Sequence, residues 1–334
     1  MRKIYKVDTL VKKLDVVNIV LTDSCNSKCR LCNYWKHKKK IFLDKKNVEY
    51  LIPYINKYKT RKIYLTGGEP LLHPNFYEIT KMLRENTRCK ITLCTNGFLI
   101  PKFIDKIYPF FDAYIISFDA HTKNLYHKIR GVDWFQSIKK VPRLIKKKNL
   151  NAKIAFTCVI QRLNFKHLKE ILLYADSIGC DFMGFTLPTL TKGGFGWKRI
   201  PSKLKRTTFL NRKEIGQLKR IIEEMLKIEE KLKIKIIQPP DGLREYPLQL
   251  GYEIGINEPV PVECPIPFQE IVLDENGLIR PCYILPPLYK FEKNQDPVNN
   301  EIMSAFRDNF LKNPPKACYS CYIRLLHRHL NNQS

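Results

Sequence analysis

The sequence predicts an α/β fold: a parallel sheet with helical crossovers, followed by a smaller α+β part rich in cysteine. Three observations predict it. Short apolar strands alternate with amphipathic helices through the first 190 residues, and the connections are long enough for right-handed crossovers. A proline-rich stretch then gives way to a hairpin pattern and a CxxC pair.

Strands are expected at 16–22, 62–66, 90–95, 113–118, 153–160 and 182–187, each a short run of β-branched and other apolar residues. Helical patterns fall between them at 44–59, 75–87, 100–108, 134–149 and 164–178. Asp44, Asn75 and Asn164 stand where N-caps are needed, and Gly179 follows the fifth helix as a C-cap. Strands joined this way open into a doubly wound sheet or curl into a barrel, and both place ligand chemistry at the C-terminal strand ends. The segment from Pro188 to Pro201, rich in Gly, Thr and Pro, is expected as a loop that covers a site. An amphipathic helix is expected from Asn211 to Lys233, with Ile215, Leu218, Ile222 and Met225 in its apolar stripe. Seven prolines between Gln238 and Pro267 argue against any regular element there and place a domain boundary. Beyond it, Glu270–Leu273 and Leu278–Arg280 flank Asp274-Glu275-Asn276-Gly277 as a hairpin, followed by a helix near 300–312 and by Cys318-Tyr319-Ser320-Cys321.

With 334 residues, 44% of them hydrophobic and 27% charged, the chain can bury a sizeable core, which excludes intrinsic disorder as its main character. No apolar run approaches the roughly 18 residues of a membrane span. The start, Met1 to Asp8, lacks the apolar core of a secretory signal, so a cytoplasmic protein without a membrane partner is expected. Lys+Arg 59 against Asp+Glu 32 gives a net charge of +27, which attracts phosphate-bearing partners, although runs such as Lys146-Lys147-Lys148 read equally as solvated helix surface. Eleven cysteines, an odd number without an export signal, point to metal ligation or catalysis rather than disulfides.

Cys25, Cys29 and Cys32 follow the first strand in a polar loop, close enough in sequence for three thiolates to converge on one metal centre. Three ligands leave a position open for chemistry, whereas a structural site is closed by four. Gly67-Gly68-Glu69-Pro70 ends the second strand, Thr95-Asn96-Gly97 the third and Ser117-Phe118-Asp119 the fourth. Each segment alone reads as a tight turn or a helix cap. Together, each on the correct strand, they resemble the radical S-adenosylmethionine (SAM) superfamily. The resemblance implies a partial (β/α)6 TIM-type barrel over about 12–190 and a 4Fe-4S cluster on Cys25, Cys29 and Cys32. SAM on the open iron is then cleaved to a 5'-deoxyadenosyl radical that abstracts hydrogen from a substrate. It further implies that Gly67, Gly68, Glu69 and Pro70 meet the SAM ammonium, that Asn96, Ser117 and Asp119 contact its ribose and carboxylate, and that the backbone at Tyr34 meets adenine. Arg130-Gly131 recurs in relatives and is expected either at SAM or substrate or in solvent. Leu31 departs from the family, where an aromatic residue is common before the third cysteine.

Cys264, Cys282, Cys318 and Cys321 can close a four-thiolate site for zinc or for a fully ligated 4Fe-4S cluster. Their spacing is similar to that of the twitch domain, the shortened relative of the SPASM domain. That resemblance implies an auxiliary 4Fe-4S cluster in a C-terminal domain at 256–334, joined to the barrel by a connecting segment at 191–255. Four cysteines would leave no iron open, which favours electron transfer. Cys94 and Cys158 are expected in core packing, Cys89 and Cys180 carry no signal, and His327 and His329 are expected at the surface.

The expected substrate is a small anionic metabolite or a peptide, with an external one-electron donor such as a flavodoxin or ferredoxin. Only 24 residues precede Cys25, which is expected to leave no room for an N-terminal peptide-recognition domain. The competing class is a basic RNA-binding module with a four-cysteine metal site, in which Tyr319, Tyr322, Arg324 and Arg328 serve as stacking and phosphate contacts. It leaves the N-terminal cysteines and Gly67-Gly68-Glu69-Pro70 unexplained, so nucleic acid is not favoured.

Overall fold

A computed structural model describes residues 10–190, 194–197, 200–258, 264–319 and 321. The first strand, β1 (Val16–Val20), opens a repeating unit: α1 (Lys45–Lys57), β2 (Lys62–Thr66), α2 (Phe76–Asn86), β3 (Lys90–Thr95), α3 (Ile100–Ile107), β4 (Ala113–Ser117), α4 (Lys123–Arg130), α5 (Phe135–Ile138), α6 (Val141–Lys148), β5 (Lys153–Val159), α7 (Leu168–Ser177) and β6 (Phe182–Thr186). The strands β1 to β6 are parallel neighbours in chain order, the arrangement of a partial barrel, and they fall where the apolar runs place them.

The caps act locally. Asp44 accepts from the backbone N–H of Lys46 at 3.0 Å, and Gly179 takes φ +85° just beyond α7, where a β-carbon would be strained. Asn75 occupies the N-cap of α2 without a side-chain bond, and Asn164 precedes a 3-10 turn (Phe165–His167) rather than the helix itself. The helix expected over 134–149 is two, α5 and α6, because Pro142 lies in the first turn of α6, where its missing N–H costs nothing. The sequence patterns did not point to α4. Of its eight residues only Tyr126 and Ile129 are buried, too short a stripe to register as a period.

After β6 come α8 (Ser202–Thr208), α9 (Arg212–Glu229), β7 (Lys235–Ile236), α10 (Pro240–Arg244), α11 (Tyr246–Glu253) and α12 (Ile266–Gln269). Asn211 and Glu214 form a reciprocal capping box that starts α9. The expectation that prolines exclude regular structure between 238 and 267 is overturned. Pro240, Pro247 and Pro267 each sit in the first turn of a short helix, the one place where proline removes no intrahelical hydrogen bond.

The last elements are β8 (Glu270–Leu273), β9 (Leu278–Arg280), β10 (Tyr289–Lys290), α13 (Glu301–Lys312) and α14 (Lys316–Tyr319). The strands β8 and β9 form the expected antiparallel hairpin, with Gly277 at φ +75° in the turn. The hairpin is no satellite: β8 pairs in parallel with β1, Val16 opposite Glu270 through Ile19 opposite Leu273. The sheet therefore runs β10-β9-β8-β1-β2-β3-β4-β5-β6-β7.

Alternation along the strands separates two environments. Ile63, Leu65, Ile91, Leu93, Tyr114, Ile116, Ile154, Phe156, Met183 and Phe185 are fully buried in the main core with residues of α1, α2, α3 and α7. The alternate set, including Thr66, Cys94, Ile115, Ser117, Thr157, Val159 and Thr186, lines a cavity near the C-terminal strand ends. A second small core joins Leu285, Phe310 and Cys318, packed by Cys264 and Cys282. No helix among the described residues is long and apolar enough to cross a membrane.

Leu273 is fully buried in the main core on a strand bonded directly to β1. Leu273→Ala should cost about 2–5 kcal/mol. In chemical denaturation followed by circular dichroism, it should lower the midpoint of the whole barrel transition, not release a separate C-terminal one.

Candidate functional site

The loop after β1 is held by backbone. Thr22 accepts the N–H of Gly68 at 2.6 Å, and Ser24 accepts that of Glu69 at 2.7 Å. A β-carbon on Gly68 would lie 2.2 Å from the Ser24 carbonyl oxygen, and one on Gly67, at φ +152°, would lie 2.4 Å from that of Thr22. Only glycine permits this approach.

From the other side, the Arg130 and Ile129 carbonyls accept from the N–H groups of Lys28 and Arg30 at 3.1 and 3.0 Å. Gly131 ends α4 at φ +67°, and a β-carbon there would meet the Lys28 carbonyl at 2.5 Å. Two indoles complete the cradle, Trp35 donating to the Cys29 carbonyl at 3.2 Å and Trp197 to that of Leu31 at 3.0 Å. Of the expected covering loop from Pro188 to Pro201, the described residues 194–197 lie over the cysteine loop, and Pro188 and Thr189 line the cavity below. Phe195 accepts from the N–H of Asn33 at 2.9 Å, and His37 bridges the Asp23 carboxylate at 2.9 Å and the Gly196 carbonyl at 3.1 Å.

All three loop cysteines open on one cavity of about 280 Å³, together with Gly67, Gly68, Asn96, Ser117 and Asp119. Eight of the residues nominated from the sequence are thus brought together. Tyr34, Glu69 and Pro70 are not on its wall. The Tyr34 ring packs edge-on against His37, and Pro70 is buried beneath the loop. Glu69, with no exposed surface, turns under β3, where its carboxylate accepts from the N–H of Asn96 at 2.8 Å, the Thr95 hydroxyl at 2.8 and 2.9 Å and the N–H of Leu71 at 3.3 Å. Burial outweighs these donors and pushes its pKa up to about 7.

The cysteine sulfurs are met by donors. Ser27 N–H reaches Cys25 Sγ at 3.4 Å, the Ser27 hydroxyl lies 3.2 Å from Cys29 Sγ, and Arg130 Nη1 donates to Cys29 Sγ at 3.5 Å. Burial pushes the Cys25 and Cys32 thiols up to about 12, so a bound cationic centre is what would hold them as thiolates. Among the described residues, no three His, Cys, Asp or Glu side chains gather to a point suited to one metal ion.

Several wall residues escaped sequence reasoning. Cys94 was expected in core packing but faces the cavity with Ile115, its partner in register; Cys158 is in the core as expected. The Cys89 and Cys180 thiols donate to carbonyls in the interior. Arg130 is not in solvent: it is buried and paired with Asp119 Oδ2 at 2.5 Å, while Asp119 Oδ1 accepts from the N–H of Val159 at 2.7 Å. Tyr283, next to Cys282, reaches the Thr66 hydroxyl and forms part of the cavity wall.

Behind Tyr283, the side chains of Cys264, Cys282, Cys318 and Cys321 surround a second, apolar cavity of about 20 Å³. Burial pushes the Cys282 thiol upward and brings the neighbouring Glu270 carboxyl up to about 7. His327, His329, Tyr322, Arg324 and Arg328 lie outside the described residues.

Residues 19–175 match the radical SAM superfamily model. A GTP 3',8-cyclase of Helicobacter pylori is 27% identical over 287 residues, 83% of this chain and 82% of the relative. One of Nautilia profundicola is 24% identical over 321 residues, 93% of each chain. The probable GTP 3',8-cyclase of Saccharolobus solfataricus is 28% identical over 134 residues, which span 44% of its length. Among solved structures, Streptococcus suis SuiB bound to the precursor peptide SuiA superposes with a TM-score of 0.66 at 13% identity, covering 94% of this chain and 71% of that one. AdoMet-bound anSMEcpe superposes at 0.62 with 18% identity, covering 88% and 82%. These superpositions show a shared fold.

Two outcomes are expected. Gly68→Ala forces a β-carbon into the Ser24 carbonyl, so it should lower the melting temperature and the iron bound per chain after reconstitution. Glu69, raised to about 7 from an ordinary 4.5, binds its proton more tightly in the folded chain. Its contribution should therefore be most favourable below pH 4.5 and fade, by about 3 kcal/mol in all, as pH rises to 7. Glu69→Gln should flatten that slope in urea titrations run across this range.

Proposed function

We propose that this chain is an enzyme of the radical SAM superfamily, whose model residues 19–175 match, that Cys25, Cys29 and Cys32 hold its 4Fe-4S cluster, and that the adjoining cavity receives SAM and a small anionic substrate. One observation carries the reading. All three thiols open on the cavity formed by the C-terminal ends of β2 to β6, where a parallel barrel places its chemistry. When bound, cluster and SAM supply a 5'-deoxyadenosyl radical competent to abstract hydrogen from the substrate.

The chain's own residues set the conditions for that chemistry. Gly67 and Gly68 line the cavity with backbone, which their missing side chains allow to lie against Thr22 and Ser24 of the cysteine loop. Asn96 donates to the Asn26 side-chain oxygen at 2.7 Å and accepts from the N–H of Phe98 at 3.0 Å, which fixes the orientation of its amide on the wall. Ser117 and Thr157 add hydroxyls, while Ile115, Val159 and Phe195 supply apolar surface that limits water around a bound ligand. Glu69 acts as a strut between β2 and β3, since its oxygens are occupied by Thr95, Asn96 and Leu71.

For the substrate we infer a nucleotide, with purine triphosphates the first class to test. The relatives named GTP 3',8-cyclase that align over most of both chains support this, and the net charge of +27 agrees with a phosphorylated ligand. Exposed Lys28, Lys36, Lys38 and Lys39 around the cysteine loop suit an acidic one-electron donor such as a flavodoxin or ferredoxin. We assign a second metal group to Cys264, Cys282, Cys318 and Cys321, whose side chains surround a common cavity. At about 20 Å³ that cavity has room for about one small ion, so an iron-sulfur cluster there requires its walls to part. Tyr283, shared by both cavities, makes an auxiliary cluster an electron partner of the substrate site.

The reading is tested by anaerobic reconstitution with iron and sulfide counting and a reductant-dependent assay for 5'-deoxyadenosine. The parent should hold about eight irons, and a Cys25/Cys29/Cys32→Ala variant about four with no deoxyadenosine. Cys318→Ala/Cys321→Ala should still cleave SAM yet fail to complete the product. Zinc at the C-terminal cysteines with SAM cleavage intact would remove the auxiliary electron path. GTP should raise the melting temperature of the reconstituted enzyme more than guanosine does; equal shifts would remove the phosphate contribution.

A further inference from the structure

Cys29 is distinguished by a cation. Arg130, at the end of α4, donates through Nη1 to Cys29 Sγ at 3.5 Å and through Nη2 to Asp119 Oδ2 at 2.5 Å, with side chains 12% and 3% exposed. Its Nε is buried without a hydrogen-bond partner. The same residue grips the loop by its backbone: its carbonyl accepts from Lys28 N–H at 3.1 Å and from the Ser27 hydroxyl at 3.2 Å, and that hydroxyl lies 3.2 Å from Cys29 Sγ. One residue therefore fixes where the Cys29 sulfur lies and how much positive potential it experiences.

We propose that Arg130 is a positioning residue that raises the reduction potential of the cluster held by Cys25, Cys29 and Cys32, through its N–H bond to the Cys29 sulfur and its buried charge. The inference rests on the cluster assignment above. Reduction adds an electron to a cluster whose negative charge is shared with its thiolates, so a donor aimed at one sulfur favours the reduced state. Exclusion of water strengthens that effect. Asp119 offsets part of the charge but contacts a different nitrogen, so the directional bond to sulfur is preserved.

Removing Arg130 alone would leave Asp119 buried and unpaired, which by itself destabilises a fold. Two variants avoid this. Arg130→Lys keeps a cation for Asp119 without the planar fork that reaches Cys29, and Arg130→Met/Asp119→Asn removes both charges. A third, Ser27→Ala, removes the hydroxyl that lies 3.2 Å from Cys29 Sγ and gives its proton to the Arg130 carbonyl.

The experiment is an EPR-monitored redox titration of the reconstituted full-length chain without SAM, repeated in a Cys318→Ala/Cys321→Ala background so that a single cluster is read. With iron content unchanged, the midpoint potential of Arg130→Met/Asp119→Asn should become more negative than the parent's. Arg130→Lys should fall between them, and Ser27→Ala, which leaves the guanidinium in place, should shift the midpoint less than the double variant does. An unchanged midpoint in the double variant would overturn the proposal. Loss of iron from both Arg130 variants would overturn it too, because Arg130 would then act on loop shape alone. Failure of the parent itself to form a cluster would be a failure of the underlying assignment, distinguishable because no variant is needed to see it.

Discussion

At the mouth of the barrel, backbone lies against backbone with no space for a β-carbon, and the site depends on that contact. The Thr22 and Ser24 carbonyls accept from Gly68 and Glu69 on the neighbouring strand end, which stops β1 from fraying where its ladder runs out. A strand end otherwise leaves polar groups unpaired, and a loop bearing three cysteines would wander. Here it is fastened twice, by the Gly67-Gly68 turn on one flank and by the carbonyls of Ile129 and Arg130 on the other. Both attachments use glycine at the closest point, Gly68 and Gly131, because only a residue without a side chain lets two main chains share hydrogen bonds at that distance.

The buried carboxylates around the loop follow a common pattern. Asp23 accepts from the N–H of Ile41 at 2.8 Å and from His37, Glu69 from Asn96 and Leu71, and Asp119 from Val159 and Arg130. Each sits just past a strand end, where N–H groups lose their ladder partners, and an ionised oxygen satisfies them more strongly than a carbonyl can. These donors offset only part of the cost of burying charge, and burial still holds Glu69 and Asp119 above the usual carboxylate range. Glu69 and Asp119, which look like ligands in the sequence, also brace the fold; Glu69 is withdrawn from the cavity, whereas Asp119 stays on its wall, paired with Arg130.

Much of this was legible in the sequence, because the strongest local signals belong to segments that meet at the cavity. Short apolar strands, the cysteine spacing and Gly67-Gly68-Glu69-Pro70 each read out a local rule, and the fold places them at one sheet edge. What was not legible depended on tertiary packing or on a parity that went unused. In β3, Thr92 and Cys94 share a face opposite to Ile91 and Leu93; in β5, Cys158 lies with Ile154 and Phe156. Counting in twos along each strand separates the cavity thiol from the core thiol. No such count could show that Arg130 reaches Cys29, since the two stand 101 positions apart and are brought together only by closure of the βα units. The proline-rich segment misled for a different reason. Proline forbids helix interiors but favours first turns, so several short helices can carry the same prolines that one long helix cannot.

The placement of the C-terminal hairpin gives the two cysteine sets a fixed relation. Because β8 pairs with β1, Glu270 receives the Asn18 amide at 3.2 Å from inside the barrel, while Cys282, beyond β9, carries Tyr283 into the cavity wall. Strand pairing transmits position rigidly, so the second cysteine cavity cannot move without moving the strand from which the first cysteine loop springs. A substrate held in the larger cavity is therefore bounded by the loop thiols on one side and by Tyr283, one residue from Cys282, on the other. On the function proposed above, that shared wall would be the shortest route for an electron leaving the substrate toward a metal group at Cys264, Cys282, Cys318 and Cys321.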